Sequence, residues 1–255
     1  MGTIGDGTVS EEVLAVAENR CGASLKVGPW ARYRDERAWE ALALALPLNW
    51  TLEELELNGL HTEEATFSAL VTAIRKQGSI KKLSVRLGSV SSGGAQVFAV
   101  MLRHNNTLTH LNLDDNNVSD EGVKAIAKAL QRNNSTLLQL SMKRCSISKD
   151  GATALADMLR HNSTLTHLIL DSNSSIGDEG VTAIAKALQE NNSNSALVHL
   201  SMQKCKVEAA GAMALADMLR HNTTLTHLSL DSNSSIGDEG VTAIAKALQE
   251  NNSNS

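Results

Sequence analysis

His110, His167, His199 and His227 each stand two residues after a leucine-type position, and three of them precede an aspartate by four residues: Asp114, Asp171 and Asp231. Imidazole beside carboxylate could move protons, and several imidazoles could hold a metal. Neither fits an extended chain. Four residues of strand span roughly 13 Å, too far for a His–Asp relay within one strand. Zinc needs its ligands at roughly 2.0–2.1 Å, so side chains must converge on it. His167, His199 and His227 fall on successive strands, and the outer pair starts about two strand spacings apart. The expectation is a polar ladder in which crowded imidazoles weaken partner binding near pH 5.5. Cys145 and Cys205 alternate with Asn116, Asn173 and Asn233 at one recurring position. Two repeats separate the thiols by roughly 9 to 10 Å, beyond disulfide reach. A buried asparagine amide there can satisfy backbone groups of neighbouring turns, with the small cysteine packed beside it. His104, His161 and His221 close LRHN segments, where a histidine suits the negative end of a helix. No glycine-rich phosphate loop, nucleophile elbow or zinc spacing occurs. No catalytic residue, cofactor or metal site is assigned.

The elements that must position these side chains repeat. Leu108, Leu111, Leu113, Asn116 and Val118 follow L-x-x-L-x-L-x-x-N-x-L, a leucine-rich repeat pattern. Its first position recurs at Leu52, Ile80, Leu108, Leu137, Leu165, Leu197 and Leu225, predicting seven units. Between them lie helical spacings such as Val123, Ile126, Ala127 and Leu130. Gly94, Gly122, Gly151, Gly180, Gly211 and Gly240 recur in the first helical turn. Glycine costs helix stability, so a close approach to a neighbouring backbone is expected. Ser119, Ser148 and Asp178 are candidate N-caps.

Ahead of the array, residues 9 to 19 read as a helix, SLKVGPWARYRDER as irregular, and RAWEALALALPLN as a helix halted near Pro47. The predicted division is therefore a helical cap and irregular segment over 1–51, then repeats over 52–255. Trp30, Tyr33, Trp39 and Trp50 cluster in the first part, as expected of residues sealing the end of a stack. Residues 151–195 and 211–255 differ only at Thr153/Met213, Ser163/Thr223 and Ile169/Ser229, an internal duplication that predicts an array lacking a C-terminal cap.

Hydrophobic residues make up 42% of the sequence and aromatic ones 2%, so aliphatic side chains must fill the core. A net charge of −5 with both signs interspersed leaves no basic stripe for nucleic acid. The stretch MGTIGDGTVSEEVL shows neither the basic n-region nor the apolar h-region of a signal peptide, no apolar run is long enough to span a bilayer, and with three cysteines a reducing cytoplasmic setting is expected. Asn49, Asn105, Asn162 and Asn222 open Asn-x-Ser/Thr triplets, which a chain rich in these residues generates by composition.

The alternation of asparagine and cysteine units at 28 to 29 residues resembles the ribonuclease-inhibitor type of leucine-rich repeat, and the repeats are similar to those of NOD-like receptors, particularly the NLRC3-like branch. The first two units depart from it, with Leu60 and Gly88 where Asn or Cys is expected. The resemblance implies an α/β solenoid, curved, with parallel strands on the concave face and helices on the convex face. It further implies a non-enzymatic protein–protein interaction module, ligand-sensing or regulatory, of innate-immune type. The alternation of side chains along each strand puts positions three, five and seven on the concave side. The candidate partner-binding set there is His110, Asn112, Asp114, Lys143, His167, Asp171, His199, Gln203, His227 and Asp231, with Trp50 as a second candidate. The alternative is a regulator of an enzyme, either an inhibitor of the ribonuclease-inhibitor kind or a GTPase activator of the Ran type with Arg86 as its arginine. The expected partner is a protein, without nucleic acid or membrane.

Overall fold

The computed structural model describes residues 2–3, 9–27, 36–60, 62–88, 90–132, 136–191 and 195–253. Strand and helix alternate throughout. The strands are β1 (Gly2–Thr3), β2 (Ser24–Val27), β3 (Glu54–Asn58), β4 (Lys82–Arg86), β5 (His110–Asn112), β6 (Gln139–Ser141), β7 (His167–Ile169), β8 (His199–Ser201) and β9 (His227–Ser229). The helices are α1 (Val9–Ala17), α2 (Glu36–Ala45), α3 (Glu64–Gln77), α4 (Ser92–Leu102), α5 (Ser119–Arg132), α6 (Lys149–Leu159), α7 (Gly177–Glu190), α8 (Ala209–Leu219) and α9 (Gly237–Ser253). Among the described residues all nine strands form one parallel sheet in chain order, and neighbouring helices stack alongside. This is an α/β leucine-rich repeat solenoid.

The pattern explains the winding. Leu108, Leu111, Leu113 and Val118 are buried, as are Val123, Ile126, Ala127 and Leu130 on the helix behind them. Each unit thus buries one strand edge and one helix stripe, but closes its core only against its neighbours. Aromatics contribute locally: Phe67 and Phe98 meet edge to face at 5.5 Å between α3 and α4, and Trp39 is buried. Trp30 and Tyr33 lie outside the described residues. The stretch expected to be irregular opens with β2, which pairs in parallel with β3 from Ser24–Glu54 to Val27–Leu57. The leucine pattern is too short there to announce a strand, yet Leu25 and Val27 point inward as their successors do.

The glycine-rich helix starts are tight for a different reason from the one expected. A Cβ on Gly122 would lie 2.7 Å from the Ala95 Cβ, and one on Gly151 would lie 2.5 Å from Asp120 Oδ1. The neighbours are side chains more than backbone, an alanine methyl in one kind of unit and an aspartate carboxylate in the other. That carboxylate is a cap delivered across the repeat boundary. Asp120 Oδ1 accepts the Ser148 and Gly151 amides at 2.8 and 3.1 Å, and Asp178 Oδ1 accepts the Glu208 amide at 2.7 Å. Asp178 therefore caps α8 rather than its own helix. Ser148 is an N-cap, accepting from the Asp150 amide, whereas Ser119 is the first residue of α5 at φ +58°.

Candidate functional site

In-register pairing turns the third position of each repeat into a column. His110 pairs with Gln139, Gln139 with His167, His167 with His199, and His199 with His227. The last three imidazoles stack face to face, with centroids 5.4 and 5.6 Å apart and planes 20° and 11° from parallel. Threonines orient three of the rings. Thr109, Thr166 and Thr226 donate their hydroxyl protons to the Lys81, Leu138 and Val198 carbonyls of the preceding strand. Each hydroxyl oxygen also lies 2.8 Å from Nδ1 of the following histidine. That contact holds Nδ1 of His110, His167 and His227 against the threonine, which fixes the orientation of each ring. Val198 precedes His199, which lacks this clamp.

Burial lowers the proton affinity of His199, as do the neighbouring His167 and His227 and the Lys143 ammonium, while Asp171 pulls the other way. His110 is lowered as well, by burial first and then by Lys82 and His167 against Glu54. The sign for stability follows. As pH falls through the ordinary histidine range near ~6.5, the unfolded chain takes up protons that the folded one resists. The thermal midpoint is expected to drop between pH 7.5 and 5.5, with a shallower slope for His199→Gln. An unchanged slope in that variant would remove His199 as the cause.

Two of the three aspartates of the expected set, Asp114 and Asp171, sit elsewhere than on an open surface. Asp114 is buried and accepts Ser141 Oγ at 2.6 Å and the Lys143 amide at 2.8 Å. Asp171 repeats this with Ser201 Oγ at 2.5 Å and the Gln203 amide at 3.1 Å, and its other oxygen lies 2.8 Å from Lys143 Nζ. Burial alone would raise the Asp171 carboxyl, but these donors hold it below the ordinary value. Position seven lies beyond the end of β5 and β7, and the next residues, Asp115 and Ser172, turn at φ +61°, so strand alternation no longer aims the side chain outward. Asp231 is exposed, and Asn112 Oδ1 receives the Asp114 amide at 2.8 Å. The structure thus brings His167, His199 and His227 together on the strand face, with the Lys143 ammonium near enough to act on His199, and leaves Trp50 apart from them and 73% exposed. Arg86 is half engaged, its Nη2 3.3 Å from Asp115 Oδ2, and Asp115 also pairs with Arg144.

Further along the same face the structure adds residues outside the expected set. A hollow of about 320 Å³ spans β2 to β6, where Lys26, Glu54, Glu56, Lys82 and Ser84 join His110 of that set in the lining. Its charges are matched across strands, Lys26 to Glu56 at 2.9 Å and Lys82 to Glu54 at 2.5 Å. Their place at positions three and five was the available signal.

Two asparagine ladders hold the face rigid. Asn173 donates to the Met142 and Leu170 carbonyls and accepts the Cys145 and Ile147 amides. Asn116 and Asn233 do the same for their own neighbours. Between them Cys145 and Cys205 are buried free thiols, pushed up by burial to about 12 and about 11, so neither forms thiolate at neutral pH. The second ladder consists of the triplet asparagines. Asn49 and Asn162 are buried, donate to Val16 O and Leu130 O one repeat back, and accept the amides two and three residues ahead. Their amide nitrogens are committed to backbone, which leaves no role as glycan acceptors.

Among known sequences, the profile described as the MHP1/HER1/GIP3 LRR domain matches residues 14–233. NACHT, LRR and PYD domains-containing protein 4C of Mus musculus is 33% identical over 97 residues, 38% of this chain and 10% of that protein. NACHT, LRR and PYD domains-containing protein 14 of Homo sapiens is 29% identical over 126 residues, 49% of this chain and 11% of that protein. The chain therefore spans about a tenth of these relatives, and it resembles the repeat regions of NOD-like receptors. The solved structure of leiomodin-1 actin-binding site 2 superposes with a TM-score of 0.50 at 19% identity, covering 73% of this chain and 91% of that one, which bears on the fold alone.

Proposed function

The chain belongs to the MHP1/HER1/GIP3 LRR domain family, and from that premise we propose that it is a non-enzymatic protein-interaction module whose binding surface is the strand face. The observation that carries this reading is the in-register column from His110 to His227, held by side chains that are themselves fixed. Exposed ring edges on a rigid sheet bind without first being ordered, which lowers the entropic cost of association. The likeness to NACHT, LRR and PYD proteins supports a ligand-sensing or regulatory role of innate-immune type in the cytoplasm, with a protein as partner. No helix among the described residues is long and apolar enough to cross a membrane. Activation of a GTPase through Arg86 is disfavoured by the Asp115 contact, which holds the guanidinium against the protein.

The test is partner capture from a reduced extract with the parent chain beside His167→Ala/His199→Ala/His227→Ala. These side chains are half-buried or exposed and accept no ladder bonds, so the fold should survive their truncation. A specific partner held by the parent and weakened about tenfold or more by the variant is the expected outcome. Equal retention would move the site to Trp50 or the helices, and Trp50→Ala would then be the informative variant.

A further inference from the structure

The spacing of the stacked histidines carries information of its own. His167, His199 and His227 repeat at 5.4 and 5.6 Å between ring centroids, one ring per strand. An α-helix repeats about every 5.4 Å along its axis. Laid across the strands, a helix advances one turn per ring. Side chains at i, i+4 and i+7 share one of its faces and rise by about 6 Å and then about 4.5 Å, so they meet all three rings. An extended segment returns a side chain to the same face only every ~6.6 Å, and by the third ring it is about 2 Å out of step.

Charge and hydrogen bonding narrow the occupant further. Thr166 and Thr226 hold Nδ1 of His167 and His227, which leaves Nε2 for a partner. Beneath the rings lie Leu168 and Leu200, both fully buried. The charged groups that flank the column are Lys143 and Arg144 after β6, Asp171 after β7, Lys204 after β8 and Asp231 after β9, with His110, Lys82 and Glu54 beyond Gln139. Arg144 is engaged by Asp115, and Asp171 by Lys143, Ser201 and Gln203. With the rings neutral, Lys143 and Asp171 cancel beside His199. Each proton taken up by the rings adds a positive charge, while the Asp171 carboxylate is already matched.

We propose that the column docks a partner helix that carries carboxylates at i, i+4 and i+7, one for each imidazole, and that it holds this helix most tightly when the rings are protonated. This rests on the strand face being the binding surface. Protonated rings donate from Nε2, and a charge-assisted bond to a carboxylate is among the stronger hydrogen bonds. Imidazolium groups this close also repel one another, and three carboxylates offset the repulsion. Protons therefore bind more tightly in the complex than in the free chain, and affinity rises as pH falls. Crowding without a counter-charge gives the opposite sign.

Helical peptides of about 18 residues, built on alanine and glutamine, are the probes. One carries glutamate at i, i+4 and i+7; the other carries the same three at i, i+5 and i+10, which point to three different sides. Glutamate is ionised from pH 6.0 to 7.5, so a pH effect reports the rings. Read by fluorescence anisotropy, the matched peptide is expected to bind about tenfold more tightly than the spread one at pH 6.0, and to lose about tenfold in affinity by pH 7.5. His199→Gln should weaken the matched peptide about fivefold at pH 6.0 and leave its affinity at pH 7.5 nearly unchanged. Equal binding of both peptides, no binding of the matched one below about 1 mM at pH 6.0, or affinity that rises with pH overturns the proposal. If the captured partner is still lost with the three histidines, the strand face then remains the binding surface with another occupant. Self-association of the parent at pH 6.0 that His199→Gln abolishes also overturns it, because a second copy would fill the column.

Discussion

Replacing Asn173 with alanine is expected to lower the unfolding free energy by about 3–5 kcal/mol. The methyl keeps none of the contacts that the amide makes. The Cys145 and Ile147 amides lose an acceptor at 2.9 and 3.2 Å, and the Met142 and Leu170 carbonyls lose donors at 2.9 and 2.7 Å. All four groups remain buried, so water does not replace the missing partner. Asn173→Asp is the sharper control. It restores the acceptor while removing both donors and burying a charge, so it should be no better than alanine at pH 7. Denaturant melts of the three chains check this, and a loss below 1 kcal/mol for alanine would mean that the loop finds other partners.

The second large effect is steric and opposes intrinsic propensity. Glycine to alanine inside a helix ordinarily gains up to about 1 kcal/mol. At Gly122 the new Cβ would meet the Ala95 Cβ at 2.7 Å and Val118 Cγ1 at 2.9 Å, with the Ser92 Cα at 3.4 Å. Overpacking of this kind costs about 1–3 kcal/mol or more, so the net result should be a loss of roughly 2 kcal/mol. The partner identifies the cause. Gly122→Ala combined with Ala95→Gly should recover part of the loss, giving a favourable coupling in a double-mutant cycle. Strict additivity would place the strain in the backbone instead.

The array itself was legible because its period is long and its leucines are strict: Leu108, Leu111 and Leu113 announced their burial by spacing alone. The column of histidines was legible for the same reason, since parallel in-register strands turn one repeat position into a row. Three matters were hidden. The inward turn of Asp114 and Asp171 depends on where the strand stops, and nothing in L-x-L-D marks β5 and β7 as ending two residues before the aspartate. The role of Asn49 and Asn162 was masked by a triplet that also spells a glycan acceptor. An asparagine that accepts from the amides two and three residues ahead simply has a threonine at the first of those sites. The cap from Asp178 to Glu208 joins residues 30 apart and has no local signature at all.

The asparagine ladders point in one direction. Asn173 completes the backbone of residues 26 and 28 positions before it, and Asn162 completes Leu130, 32 positions before it. A ribosome delivers the chain from its N-terminus. Each loop therefore emerges with amides that no residue yet synthesised can satisfy, and it settles only when the asparagine of the following turn clears the exit tunnel. Folding during translation trails synthesis by one full turn of the solenoid, and a pause in elongation just before Asn173 would hold the Cys145 loop open to chaperones and proteases.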